Sequence, residues 1–113
     1  MIIVRLELDQ EERLMACTAS GHAGIGHKGQ DIVCAAVSIL LRTTVYALRS
    51  VHSIELQCNA EQRGFVSFSV VRYKAAESER LQYAAEFLWL GLHSLQQEYP
   101  QAIVCEKYSD KHQ

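Results

Sequence analysis

One proline, Pro100, stands in the whole chain, and it lies near the end. A chain so poor in proline has little to interrupt regular elements, which argues against a disordered protein. No two cysteines are spaced C-x-x-C; the four stand at 17, 34, 58 and 105. Without an export signal, reduced thiols are the default for such a set. No block of like charge occurs either. The 11 basic and 13 acidic side chains are interspersed and net to −2, so nothing points to direct nucleic-acid binding or to a membrane surface. The opening MIIVRLELDQ has no basic region followed by a long apolar run, so no leader and a cytoplasmic location are expected. The apolar stretches are interrupted by polar residues, short of a membrane span.

What is present is enough for one core. At 113 residues and 49% hydrophobic, a single domain over residues 1–113 is expected. Ile2, Val4, Leu6 and Leu8 alternate with Ile3, Arg5 and Glu7, the period of a half-buried strand. After the polar turn Asp9–Glu12, a second strand over Arg13–Ser20 completes a hairpin. A helix should follow, with Val33, Val37, Leu40, Leu41, Thr44, Leu48 and Val51 on one face. It should end near Ser50 or His52. Ile54–Ala60 and Phe65–Tyr73 form a second hairpin around Glu61–Gly64. Glu77–Glu98 reads as a second helix, with Leu81, Ala84, Ala85, Leu88, Leu92 and Leu95 facing the core. Phe87, Trp89 and Leu90 fall partly off that face, so this helix is either sandwiched or meets a partner. Pro100 stops it; Ala102–Lys107 is a last strand and Tyr108–Gln113 a polar tail. The order ββαββαβ gives an α+β fold, a mostly antiparallel sheet with two helices.

Chemistry concentrates between Ser20 and Leu41. Gly21, Gly24, Gly26 and Gly29 are four of six glycines, a density suited to backbone that moves or approaches a ligand. Asp31 is placed to cap the following helix. Cys34 would then be its third residue, near unpaired N–H groups. The partial positive charge of a helix start favours a thiolate, the reactive form of cysteine, and its amides can hold an oxyanion. A cysteine packed between helix and sheet is the equal alternative. Cys17, Cys58 and Cys105, each inside a predicted strand, read as buried hydrophobes. His22, at the end of the second strand, is the candidate partner for Cys34; His27, in the middle of the loop, ranks below it. Ser38 lies one turn past Cys34, where it either serves the site or bonds back to the carbonyl of residue 34. His52, His93 and His112 read as helix-end, helix-surface and tail residues.

Two other chemistries share these residues. Gly24–Gly29 satisfies G-x-G-x-x-G, but flanking hairpins replace the βαβ crossover that a dinucleotide site requires. A zinc site from His22, His27 and Cys34 lacks a fourth ligand and a familiar spacing, so neither metal nor cofactor is expected.

Gly21-His22-Ala23-Gly24 followed by Gly29-Gln30-Asp31-Ile32-Val33-Cys34-Ala35-Ala36-Val37-Ser38 resembles the signature of the ribosomal-processing cysteine protease family, Prp. The length, the element order and the second helix are similar too. The resemblance implies a bacterial cytosolic endopeptidase that removes a short N-terminal extension from a large-subunit ribosomal protein, the L-twenty-seven protein. It places the catalytic cysteine on Cys34 and the catalytic histidine on His22, with Gly21, Asp31 and Ser38 also at motif positions. The segment Ala23, Gly24, Ile25, Gly26, His27, Lys28, Gly29 and Gln30 would be a flexible substrate lid. The implied partners are the N-terminal peptide of a ribosomal protein and a second copy of the chain, the homodimer suiting the broadly apolar second helix. The alternative of another class is a non-enzymatic, ribosome-associated peptide-binding or assembly module.

Overall fold

The computed structural model describes residues 1–21, 30–60 and 64–109. The alternation at the start folds as expected. In strand β1, Ile2–Leu8, the residues Ile2, Val4, Leu6 and Leu8 are buried and those between them exposed. Asp9 builds the turn that follows. Its Oδ1 accepts the amides of Glu11 at 2.9 Å and Arg13 at 3.0 Å, and its Oδ2 accepts Arg13 Nε at 2.7 Å. Burial alone would raise the Asp9 pKa; these bonds outweigh it and hold the carboxyl below its usual range. Strand β2, Leu14–Ser20, returns antiparallel to β1.

Strands β3, Ile54–Asn59, and β4, Phe65–Tyr73, form the second hairpin; residues 61–63 of its turn lie outside the described residues. The two hairpins join through antiparallel β2 and β4, with Cys17 opposite Phe68. Strand β5, Ile103–Ser109, pairs in parallel with β1 from Ile2/Ile103 to Leu8/Ser109. The five-stranded sheet therefore has the order β3-β4-β2-β1-β5, with one parallel pair among antiparallel ones. That ladder carries β5 two residues beyond the predicted Lys107, into part of the predicted tail. Residues 110–113, His112 included, lie outside the described set.

Both helices cover one face of the sheet. Helix α1, Gln30–Arg49, buries Val33, Val37, Leu41, Val45 and Leu48. Helix α2, Ser78–Glu98, enters from a single 3-10 turn, Ala75–Glu77, and buries Leu81, Ala85, Leu88 and Leu92. These side chains meet Leu6, Cys17 and Phe68, which register across three strands. Each large apolar side chain so buried contributes about 1.5–3 kcal/mol before the entropy of ordering it. At the crossing of the helices a Cβ on Gly91 would lie 3.0 Å from Leu40 Cδ2, so glycine there sets how closely α2 approaches. Ile3, Arg5 and Val104 lie on the opposite, uncovered face.

Three sequence expectations change. Ile32–Arg49 has a mean hydropathy of 1.6 over 18 residues and is, by length and composition, apolar enough to cross a membrane. The polar interruptions do not prevent this because they are small residues, Ser38, Thr43 and Thr44, with arginine only at 42 and 49. Its buried stripe nevertheless lies on the sheet. Next, α1 begins at Gln30, so Asp31 is its second residue rather than its cap. Last, α2 is not sandwiched within the chain: Tyr83, Phe87 and Leu90 are 57–64% exposed. With Ile39 and Leu40 of α1 they line or flank an apolar cleft of about 370 Å³ between the helices.

Candidate active site

The start of α1 and the end of β2 meet at one groove. Its volume is about 680 Å³; α1 forms one wall and the helix-facing side of β2, β3 and β4 the other. Cys34, Ser38 and Gly21 all line it. Cys34 is half-buried and packs on the edge of the core. Because α1 begins at Gln30, Cys34 is its fifth residue, and in helix geometry its own N–H reaches the Gln30 carbonyl. The unpaired amides thus precede Cys34. Side chains on a helix tilt toward its N-terminus, which directs the thiol back over that first turn.

Gly21 fixes the other side. Its φ of +116° lies outside the range of ordinary L-residues, and an added Cβ would collide with the Met1 carbonyl oxygen. Its N–H donates to the Gly64 carbonyl at 2.9 Å. The β2 strand end is thereby tied to the β3–β4 hairpin, and the chain leaves the groove wall at the residue before His22. His22 and the predicted lid, Ala23 to Gly29, lie outside the described residues, as does His27. Ser38 is exposed and has no hydrogen-bond partner among the described residues. The predicted back-bond is made instead by Thr44, whose Oγ1 donates to the Leu40 carbonyl at 2.7 Å.

The other cysteines separate into two kinds. Cys17 is fully buried, and burial together with the neighbouring Cys105 pushes its thiol up to about 12. Burial likewise raises Cys105 to about 11, and its Sγ donates to the Leu92 carbonyl at 3.5 Å. Both are packing residues that stay protonated at neutral pH. Cys58 corrects the expectation that it is buried: it is exposed and lines the groove. The edge strand β3 extends past the cover of α1 at this point, so a helix-facing position is not an enclosed one. Arg49 Nη2 donates to its Sγ at 3.3 Å. Arg42, Tyr46, Arg49 and Cys58 are groove residues that the sequence pattern did not single out, because none belongs to a motif.

Among the described residues no group of His, Cys, Asp or Glu gathers as a metal ligand set; of the conceivable zinc ligands only Cys34 is among them. The dinucleotide motif itself lies outside them, but its context is visible. β2, which leads into α1, has β1 and β4 as neighbours, both antiparallel, and α1 crosses to β3, which runs parallel to β2 only across the intervening β4, so the adjacent parallel pair of a dinucleotide-binding βαβ unit is not formed there.

The family model of the cysteine protease Prp matches residues 1–104. The ribosomal processing cysteine protease Prp of Staphylococcus aureus is 26% identical over 103 residues, covering 91% of this chain and 95% of that protein. Among solved structures, SMU.848 from Streptococcus mutans is 29% identical with a TM-score of 0.76, covering 97% of this chain and 96% of that one. The S. aureus Prp in complex with a substrate peptide is 25% identical with a TM-score of 0.77, covering 95% and 99%. A cysteine at the mouth of an open groove, a fold shared end to end and a match over nearly the whole sequence lead to one conclusion: the chain belongs to the Prp family of cysteine proteases.

Proposed function

We propose that this cysteine endopeptidase removes the N-terminal extension of the large-subunit L-twenty-seven protein during ribosome maturation, using a dyad of Cys34 and His22. The observation that carries the reading is the meeting of Cys34 with the Gly21 strand end at one groove. The S. aureus relative solved with a substrate peptide supports a peptide as occupant. The Cys34 thiolate attacks the scissile carbonyl, and the unpaired amides of the first turn of α1 hold the oxyanion. His22 gives its proton to the leaving amine, which departs as the thioester forms. Water, deprotonated by His22, then attacks the thioester and releases the extension's carboxylate with the thiol restored.

The enzyme acts in the cytoplasm as a homodimer joined through the outer side of α2. The exposed Tyr83, Phe87 and Leu90 support that assembly, since an apolar patch of this kind is normally covered. The test is incubation with the L-twenty-seven protein carrying its extension, read by intact mass. The expected result is a shortened product with wild type and with His27→Ala, and none with His22→Ala. Normal cleavage by His22→Ala together with failure of His27→Ala would move the base from 22 to 27. Binding without any new N-terminus, under conditions where the enzyme is folded, would make the chain an assembly module.

A further inference from the structure

The two edges of the sheet are finished differently, and the hydrogen-bond register shows how. Along a ladder, alternate residues turn both backbone groups toward one neighbour, and the residues between them turn theirs to the other side. At the β5 edge, Ile2 N–H donates to the Ala102 carbonyl, so Val104 and Glu106 face β1 and Cys105 faces outward. Its N–H is covered, since Gln96 Oε1 of α2 accepts it. At the other edge, Gly21 N–H donates to the Gly64 carbonyl. Val66 and Phe68 therefore face β2, while Ser67 and Ser69 face β3, where they meet Asn59 and Gln57. That leaves the N–H and C=O groups of Leu56 and Cys58 on the outer edge of β3. Among the described residues no strand and no side chain bonds to them.

Edge strands are ordinarily blunted by proline, lysine or an inward charge. Ile54–Asn59 has neither proline nor lysine, and its one charge, Glu55, stands across a bulge from Leu56. The bare stretch also leads into the groove: Cys58, Asn59 and Ala60 line it together with Cys34.

We propose that the extended peptide substrate is held as a sixth strand on the outer edge of β3, its backbone paired with Leu56 and Cys58. The inference rests on the protease reading of the groove and adds a mode of recognition to it. Main-chain pairing contributes affinity along this stretch without reading side chains. β3 lies two strands from β2, so an added strand lies three spacings, about 14 Å, from the strand end at Gly21. At about 3.3 Å per residue, the paired stretch begins about four residues from the scissile bond. Peptide residues opposite Leu56 and Cys58 give and accept hydrogen bonds, and those between them turn their backbone to solvent.

The test is a backbone N-methyl scan of a fluorescein-labelled peptide of the L-twenty-seven N-terminal segment. One amide at a time is methylated, from about three to about eight residues on either side of the cleavage point. Binding to Cys34→Ala is read by anisotropy and cleavage by wild type as kcat/KM. On one side, methylation should weaken both by about three- to tenfold at every second residue, as for a lost hydrogen bond, and little at the residues between. Cys58→Pro removes one outward N–H and no ladder bond, a place where an edge strand tolerates proline. It should bind the unmethylated peptide about three- to tenfold more weakly than Cys58→Ala, which keeps that N–H. A scan without alternation overturns the sixth strand, as does equal binding by Cys58→Ala and a Cys58→Pro enzyme with the circular dichroism of wild type. A flat scan with loss of the dimer in Cys58→Pro would make the edge a contact between copies instead. If Cys34→Ala binds with the alternation but wild type cleaves nothing, the sixth strand stands and the protease reading falls.

Discussion

Helix α1 has two open flanks, and they differ in every respect that matters for chemistry. Toward β3 and β4 it presents Cys34, Ser38, Arg42 and Arg49 to a groove of about 680 Å³. Toward α2 it presents Ile39, Leu40 and Ala47 to a cleft of about 370 Å³ that Tyr83 and Phe87 complete. One flank sets two arginines along an otherwise largely apolar wall beside a thiol; the other is mainly apolar and continues onto the exposed side of α2. On the proposed function a single helix separates a place for reaction from a place for assembly, and its buried stripe anchors both to the sheet. Perturbations on one flank should leave the other unchanged.

The largest effect is expected from Cys34→Ala. Peptide cleavage should fall by about a thousandfold or more, since removing a covalent nucleophile leaves only binding and oxyanion contacts, while sedimentation and thermal midpoint stay near wild type. Retained cleavage, measured by intact mass, would remove the nucleophile from this flank. Gly21→Ala comes next. The left-handed backbone alone costs about 1–3 kcal/mol, and the new Cβ meets the Met1 carbonyl. Urea unfolding should show that loss, with cleavage reduced in the folded fraction because the strand end before His22 has shifted. On the other flank, Phe87→Glu with Leu90→Glu should leave a folded monomer by analytical ultracentrifugation. A dimer unaffected by both charges would place the interface elsewhere.

The smallest effect belongs to a site on neither flank. Asp9, held low by its hydrogen bonds with Arg13 and Glu11, contributes stability that is present above the unfolded carboxylate pKa of about 3.9 and is lost as pH falls through the depressed folded value. Asp9→Asn should cost about 1 kcal/mol or less at pH 7 in urea titrations. The difference from wild type should shrink toward pH 2. A difference that did not depend on pH would assign the turn's stability to shape rather than charge.

The periodic elements were legible because burial imposes a pattern. Ile2 to Leu8 could only be a one-sided strand, and the stripe of α2 was read nearly residue for residue. The parallel pairing of β5 with β1 was not, since no local pattern distinguishes a parallel edge from an antiparallel one. Asp31 misled by two residues: an acidic side chain suits the first turn of a helix as well as its cap. Cys34 and Gly21 were found through a motif and now stand at one groove. Arg42, Arg49 and Cys58 were missed for a different reason. Which arginines find carboxylates, and how far a helix covers an edge strand, are decided by tertiary placement. Cys58 shows the second point, carrying strand periodicity and yet being open.

The parallel ladder between β1 and β5 also has a temporal meaning. β1 has its first neighbour, β2, next to it in the chain, but its second neighbour, β5, lies about a hundred residues further on. A contact of such sequence separation closes late, because the chain entropy of a long loop is lost before the pairing returns anything. Until Ile103 to Ser109 has emerged, β1 is an edge, and Leu92 and Ile103 have no common core to enter. A nascent chain can therefore assemble its hairpins and α1 early, yet the sheet reaches its full width only with the last strand.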